Sequence, residues 1–210
     1  ELDNYRELLD LDDKYSGYQK VAANVIAMDG TNWFSSFTID KGSKEGIKKG
    51  MNVIAGSGLV GIVTDVGPNF AKVRSIIDDS SNVSSMVLTT KDNFNVGGSL
   101  KSMNQDKVLP FTELRDEDDK VKVGDPVVTS YVSDQYQEGI LIGYIASIEK
   151  NANNLTKSGT ITPVVDFQHL REVLVITTLK DTGEKELSSQ KASDTQTETQ
   201  DNTETQKSQE

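Results

Sequence analysis

Between residues 21 and 179 no stretch of this chain stays apolar or periodic for long before a turn signal interrupts it. Asp29-Gly30, Lys41-Gly42-Ser43, Gly67-Pro68-Asn69, Gly97-Gly98 and Asn153-Asn154 punctuate it. Glycine supplies the backbone freedom that tight turns need, and proline removes a ladder donor, so each signal ends the element before it. The segments left between them are short and rich in Val, Ile and Thr: 21–28, 37–40, 51–55, 59–66, 71–78, 83–89, 126–130, 141–149, 159–165 and 172–179. Branched side chains suit a pleated, half-buried surface, so each reads as a strand. Many short strands with closely spaced turns specify a sandwich or a barrel rather than β-α-β units. "GSKEGIKKG" (42–50) has room for one helical turn, but no long helix fits within this span.

The flanks differ from this centre. Residues 1–20, rich in Leu, Tyr and charge, read as a helix. Leu8, Leu11, Tyr15 and Tyr18 follow 3-4-3 spacing, with Asn4 extending the stripe, while Leu2, Tyr5 and Leu9 form a competing one. Two readings stay open: a helix lying on its own protein, or the end of a coiled coil whose dimer interface uses these residues. Residues 181–210 hold eight acids, three lysines and almost nothing apolar beyond Leu187 and Ala192. Such a segment cannot bury enough surface to offset its chain entropy, so it is expected to be disordered.

The net charge of the 210 residues is −11, which argues against nucleic acid as a partner. No cysteine is present, which excludes disulfides, thiol chemistry and Cys-based zinc sites. No apolar run approaches the roughly 20 residues needed to cross a bilayer. The chain opens on "ELDNYRELLD", without an initiator methionine or a leader, and reads as a fragment lacking an upstream segment.

An internal echo runs through the centre. "IKKGMNVI" (47–54) aligns with "VKVGDPVV" (121–128), bringing Gly50 onto Gly124. "GLVGIVTDV" (58–66) aligns with "GILIGYIASI" (139–148), bringing Gly58 and Gly61 near Gly139 and Gly143. One supersecondary unit used twice implies two related β-subdomains, with repeat units near 47–78 and 121–165.

Candidate chemistry is sparse. Gly56-x-Gly58-x-x-Gly61, with Asp78 downstream, has the spacing of a dinucleotide fingerprint. That motif needs a helix after its third glycine. Here Ile62-Val63-Thr64-Asp65-Val66 and then Gly67-Pro68 follow, which is a strand and a turn. The only histidine, His169, has no glycine-framed serine nucleophile to serve, and reads as a surface or capping residue. Asp78-Asp79 and "RDEDDK" (115–120) lack the spacing of a calcium loop and read as solvated. Trp33, with Phe34 and Phe37, reads first as packing and second as a partner anchor. No catalytic residue, cofactor or metal site is expected.

In order along residues 1–177, the motifs "ELDNYRELLDL", "VAANVIAMDGTNWF", "FTIDKGSKEGIKKGM", "GLVGIVTDVGPNFAKV", "VKVGDPVVTS", "GILIGYI" and "PVVDFQHLREVLVI" carry a resemblance. They make the chain similar to the extracytoplasmic part of the MreC family of bacterial rod-shape-determining proteins. Its structural motif positions fall on Asn32, Trp33, Gly42, Gly50, Gly58, Gly61, Gly67, Pro68, Gly124, Gly139 and Gly143. The resemblance implies a mainly β fold: the end of a coiled coil, then two small, roughly six-stranded β-barrels. It also implies a single-pass membrane protein with this region on the extracytoplasmic side. The implied role is a non-enzymatic scaffold of cell-wall elongation. Implied partners are a second copy, higher assemblies, MreD, a class B penicillin-binding transpeptidase and a RodA-type glycosyltransferase. Three stretches depart from the family pattern. Met28-Asp29-Gly30-Thr31 stands for Arg-Asp-Pro, Ala55-Gly56-Ser57 lacks a common proline, and "TSYVSDQYQEGI" (129–140) is less glycine-rich. Other classes compatible with the residues are a periplasmic adaptor of a transport complex and a two-barrel hydrolase dependent on His169.

Overall fold

The computed structural model describes residues 15–28, 35–56, 58–116, 118–151 and 155–180. Within them lie twelve strands: β1 (Lys20–Met28), β2 (Ser36–Ile39), β3 (Asn52–Ala55), β4 (Gly58–Val66), β5 (Ala71–Ser75), β6 (Asn82–Val87), β7 (Asn93–Gly97), β8 (Leu109–Leu114), β9 (Pro126–Thr129), β10 (Leu141–Lys150), β11 (Lys157–Pro163) and β12 (Glu172–Ile176). One short helix, α1 (Leu100–Asp106), and two 3-10 turns, Ser43–Glu45 and Phe167–His169, complete the set. Among the described residues no helix is long and apolar enough to cross a membrane.

The strands close into two six-stranded barrels with antiparallel pairing throughout. Around barrel 1 the order is β1-β12-β3-β4-β5-β2, and around barrel 2 it is β10-β11-β8-β7-β6-β9. Closure leaves no free sheet edge along most of each barrel. Starting at β3 and at β9 respectively, the two circuits match strand for strand. The one difference is that the first strand of barrel 2, β6, corresponds to the last strand of the chain, β12. Barrel 2 is therefore contiguous in sequence and inserted into barrel 1, which closes only when β12 pairs with β1 and β3.

The correspondence extends to single hydrogen bonds. The Gly50 N–H donates to the Val63 carbonyl at 2.9 Å, and the Gly124 N–H donates to the Ile145 carbonyl at 2.7 Å. Both glycines have positive φ, 89° and 93°, which side-chain-bearing residues rarely adopt. Gly61 faces Ser75 across β4–β5, and Gly143 faces Pro163 across β10–β11. A Cβ on Gly61 would run into the Arg74 carbonyl, and one on Gly143 into the Thr162 carbonyl. At both points the neighbouring backbone passes too close for any side chain.

Alternating side chains fill the barrels. Val53, Ile39, Val73 and Val175 in barrel 1 are fully buried, as are Val83, Leu109, Val127 and Ile161 in barrel 2. Each such side chain contributes about 1.5–3 kcal/mol relative to exposure. Phe94 and Phe111 meet edge to face across β7–β8, with centroids 5.1 Å apart.

The fold departs from the sequence expectations in three places. Two strands, β7 and β8, and helix α1 fill the stretch left unassigned between 89 and 126. Strand β5 ends at Ser75, where the chain turns to bury Ile76 and Ile77, instead of running to Asp78. The helix expected over 1–20 lies mostly outside the described residues, and its final part is a turn at 15–17 leading into β1 at Lys20. The tail 181–210 lies outside them as well.

Candidate interaction surfaces

The link from β9 to β10, residues 130–140, leaves barrel 2 and lies on the outer face of barrel 1. Asn52, the first residue of β3, receives it. Its Nδ2 donates to the Gln135 carbonyl at 2.9 Å, and its Oδ1 accepts from the Gln137 N–H at 2.7 Å. Gln137 Nε2 donates to the Thr178 carbonyl at 3.0 Å. Thr129 Oγ1 ties back the loop, donating to the Gln137 carbonyl at 2.6 Å and accepting from the Ile140 N–H at 2.8 Å. Asn52 is 2% exposed. A buried amide is costly unless bonded at both ends, and here both ends are bonded. Tyr136, also 2% exposed, fills the loop, and burial pushes its hydroxyl up to about 12 against the pull of Arg74.

Two more contacts join the barrels. Gly58, the first residue of β4 in barrel 1, presses on barrel 2, where a Cβ on it would meet Val164 and the Leu141 carbonyl. Gly58 and Gly61, two of the glycines spaced like a nucleotide fingerprint, thus lie in a strand paired with β3, with Gly58 at the barrel junction. Tyr15 and Tyr18 tie the chain leading into β1 to barrel 2. Tyr15 Oη accepts from the Leu141 N–H at 3.0 Å, and Tyr18 Oη donates to the Glu138 carbonyl at 3.3 Å. Burial raises the pKa of both hydroxyls. Tyr15 is buried within its own chain, while Leu2, Tyr5, Leu8, Leu9 and Leu11 lie outside the described residues.

The remaining motif glycines are structural. Gly42 N–H donates to Glu45 Oε2 at 2.8 Å, starting a 3-10 turn whose Ser43 and Lys44 N–H groups donate to the Gly67 and Pro68 carbonyls. Gly139 N–H donates to the Thr129 carbonyl at 3.0 Å. Asn32 and Trp33 lie outside the described residues.

The acidic run 115–120 is not wholly solvated. Asp116 is 7% exposed and accepts from Lys157 Nζ at 2.6 Å and from the N–H groups of Lys120 and Val121. Burial works to raise its pKa, but these bonds outweigh it and the net shift is downward. Asp119 takes Lys157 and Lys150, which hold its carboxyl at about 2. Lys157 is pushed down by burial but raised overall by these two carboxylates. The cluster pins a loop to barrel 2, and among the described residues no group of acids or histidine has the arrangement of a metal site. His169 is exposed, with Nδ1 2.7 Å from Asp166 in the turn before β12.

Sequence reasoning missed Asn52, Gln137 and the buried Lys157–Asp116 pair. Asn52 alone left a trace, as a lone amide inside the apolar run 51–55.

Two closed, permuted barrels joined by a loop from the second onto the first set this chain apart from a generic β-sandwich. The family model for the barrel core of the rod shape-determining protein MreC matches residues 25–177. The chain belongs to the MreC family. The cell shape-determining protein MreC of Listeria monocytogenes is 34% identical over 173 residues, covering 81% of this chain and 58% of that relative. The chain thus spans less than two thirds of that relative's length. A solved Listeria MreC structure superposes with a TM-score of 0.69 at 32% identity, over 86% of this chain and 90% of its own. The complex between penicillin-binding protein (PBP2) and MreC from Helicobacter pylori contains a chain of the same fold. Its TM-score is 0.56 at 12% identity, over 76% of this chain and 100% of its own. Of the three departures from the MreC pattern, 129–140 falls on the inter-barrel loop, and Ala55 pairs with Gly58 at the junction of the barrels.

Proposed function

We propose that this MreC chain is the extracytoplasmic part of a membrane-anchored, non-enzymatic scaffold that organises peptidoglycan synthesis during cell elongation. The observation that carries the reading is the rigid joining of two closed barrels. Asn52, Gln137 and Tyr136 lock their relative placement, so surfaces on both move as one body. A scaffold needs fixed spacing between docking surfaces, whereas a catalyst needs a converging set of reactive groups. An N-terminal coiled coil pairs two copies and sets their height above the membrane. The partners are MreD, a RodA-type glycosyltransferase and a class B penicillin-binding transpeptidase, the last in keeping with the Helicobacter complex. Cross-linking with mass spectrometry in intact cells tests this. Links to the transpeptidase and to a second copy are expected. Links to a transporter, with none to wall-synthesis proteins, would overturn it.

A further inference from the structure

Strand β8 holds a glutamate in a backbone conformation that side chains disfavour. Leu114 pairs with Lys157 and Phe111 with Gly159, so β8 has two residues where β11 has one. This is a β-bulge, and its second residue, Glu113, has a φ of 65°. Glycine ordinarily takes the left-handed position of a bulge, because a Cβ crowds the carbonyl there. A bulge re-aims the side chain it carries, and strain of this kind is kept where the placement of that side chain matters.

Glu113 lines a pocket of about 370 Å³ on barrel 2, together with Ser84, Asn95, Arg115, Phe94 and Val132. Ser84 pairs with Asn95 across β6–β7, and Asn95 with Thr112 across β7–β8. Directly paired residues share a face, so the floor is the outer face of these three strands. Ser130 Oγ donates to Asn93 Oδ1, which holds the start of the inter-barrel loop, and with it Val132, at the rim. Asn95 Nδ2 donates to Glu113 Oε2 at 3.3 Å, which fixes the carboxylate and leaves Glu113 Oε1 and Asn95 Oδ1 as open acceptors. Among the described residues the Arg115 guanidinium and the Ser84 hydroxyl make no side-chain hydrogen bond, so the pocket holds open donors as well.

This set of groups selects among ligands. A polyanion would meet the carboxylate of Glu113, and a basic peptide would meet the guanidinium of Arg115, so each faces a like charge. A sugar bearing hydroxyl and amide N–H groups beside one carboxylate satisfies both ends. Its protons go to Glu113 Oε1 and Asn95 Oδ1, its carboxylate goes to Arg115, and its C–H face meets Val132 and Phe94. We infer that the pocket binds a carboxylate-bearing amino sugar of the wall glycan, with Glu113 and Arg115 as the recognising residues. The wall as the source of the sugar rests on the role proposed above, whereas the class of sugar rests on the pocket itself.

The test is amide-shift NMR of the isotope-labelled 210-residue chain, titrated with the disaccharide of N-acetylglucosamine and N-acetylmuramic acid. Di-N-acetylchitobiose, which lacks the carboxylate, is the comparison. Shifts are expected at Ser84, Asn93, Asn95 and Glu113, with the acidic sugar bound about tenfold more tightly. Arg115→Ala should abolish that difference. Glu113→Gly relieves the left-handed strain, so it should melt at or above the wild-type temperature yet bind the acidic sugar about tenfold more weakly. No shift at these residues with either sugar, or binding unaltered by both substitutions, would overturn the site and leave the scaffold reading to its cross-linking test. Equal affinity of the wild-type chain for the two sugars would overturn the assignment to an acidic sugar. Melting of Glu113→Gly well below the wild type would show that the glutamate serves the fold and not a ligand.

Discussion

Barrel 1 and barrel 2 share a strand order, a pair of left-handed glycine turns and a pair of close backbone approaches, yet they are completed differently. Barrel 2 is built from one continuous stretch, β6 to β11. Barrel 1 takes its sixth strand from residues 172–176, after the whole of barrel 2 has intervened. Their outer faces diverge too. Barrel 1 hides its Ile176–Asn52–Ile62 row under the partner barrel's loop, with an amide at the centre to bond it. On barrel 2 the matching row is Leu88, Pro126 and Tyr144, of which Leu88 is 43% and Tyr144 45% exposed. The difference teaches that repeating a fold does not repeat its surfaces: one copy's row serves internal assembly, and the other's is exposed.

The sharpest way to break the comparison is to end the chain at Arg171. Barrel 1 then lacks its closing strand, and hydrogen exchange should show protection lost across β1–β5 and kept across β6–β11. Equal loss in both barrels would show that barrel 2 does not stand alone.

Lys157→Ala acts on barrel 2 by stranding buried Asp116, at an expected cost of about 3 kcal/mol in denaturant unfolding. The wild-type cluster also predicts a pH response. Asp116 and Asp119 have folded pKa values below the ordinary 3.8, with Asp119 at about 2. Their stabilisation is present above 3.8 and is lost as pH falls from there towards 2. Lys157, raised above 10.5, adds stabilisation that is lost as pH rises past that value. Melting temperature measured across the acid range should fall in the wild type more steeply than in Lys157→Ala.

Asn52→Ala removes both bonds to the loop and leaves the Gln135 carbonyl and Gln137 N–H without that partner. It should cost about 2 kcal/mol and increase exchange at 135–137, with the barrel strands still protected. The smallest effect belongs to Tyr144→Lys. An exposed position such as Tyr144 tolerates a charge, so stability should stay within about 0.5 kcal/mol of wild type. A substantially larger loss would show that the chain itself uses the row.

The barrel class was legible in the sequence because the turns are chemically marked and the strands branched. The echo at Gly50/Gly124 and Gly61/Gly143 was legible because positive φ and close backbone approach leave glycine as the fitting residue. Strand β7, "NFNVG", went unread because its outward positions are asparagines. In β8, Pro110 and the positive φ of Glu113 look like strand breakers. The loop across Asn52 joins residues 83 and 85 apart in sequence, and no local pattern encodes such a contact. The exposed row was invisible for a related reason: Leu88, Pro126 and Tyr144 become neighbours only once strand register is known.

Side-chain footprinting of the free chain by hydroxyl radicals tests the contrast between the two rows most directly. In the free chain Leu88 and Tyr144 should label strongly and Ile62 and Ile176 scarcely at all. A free chain in which Ile62 and Ile176 label as readily as Leu88 and Tyr144 would contradict the account.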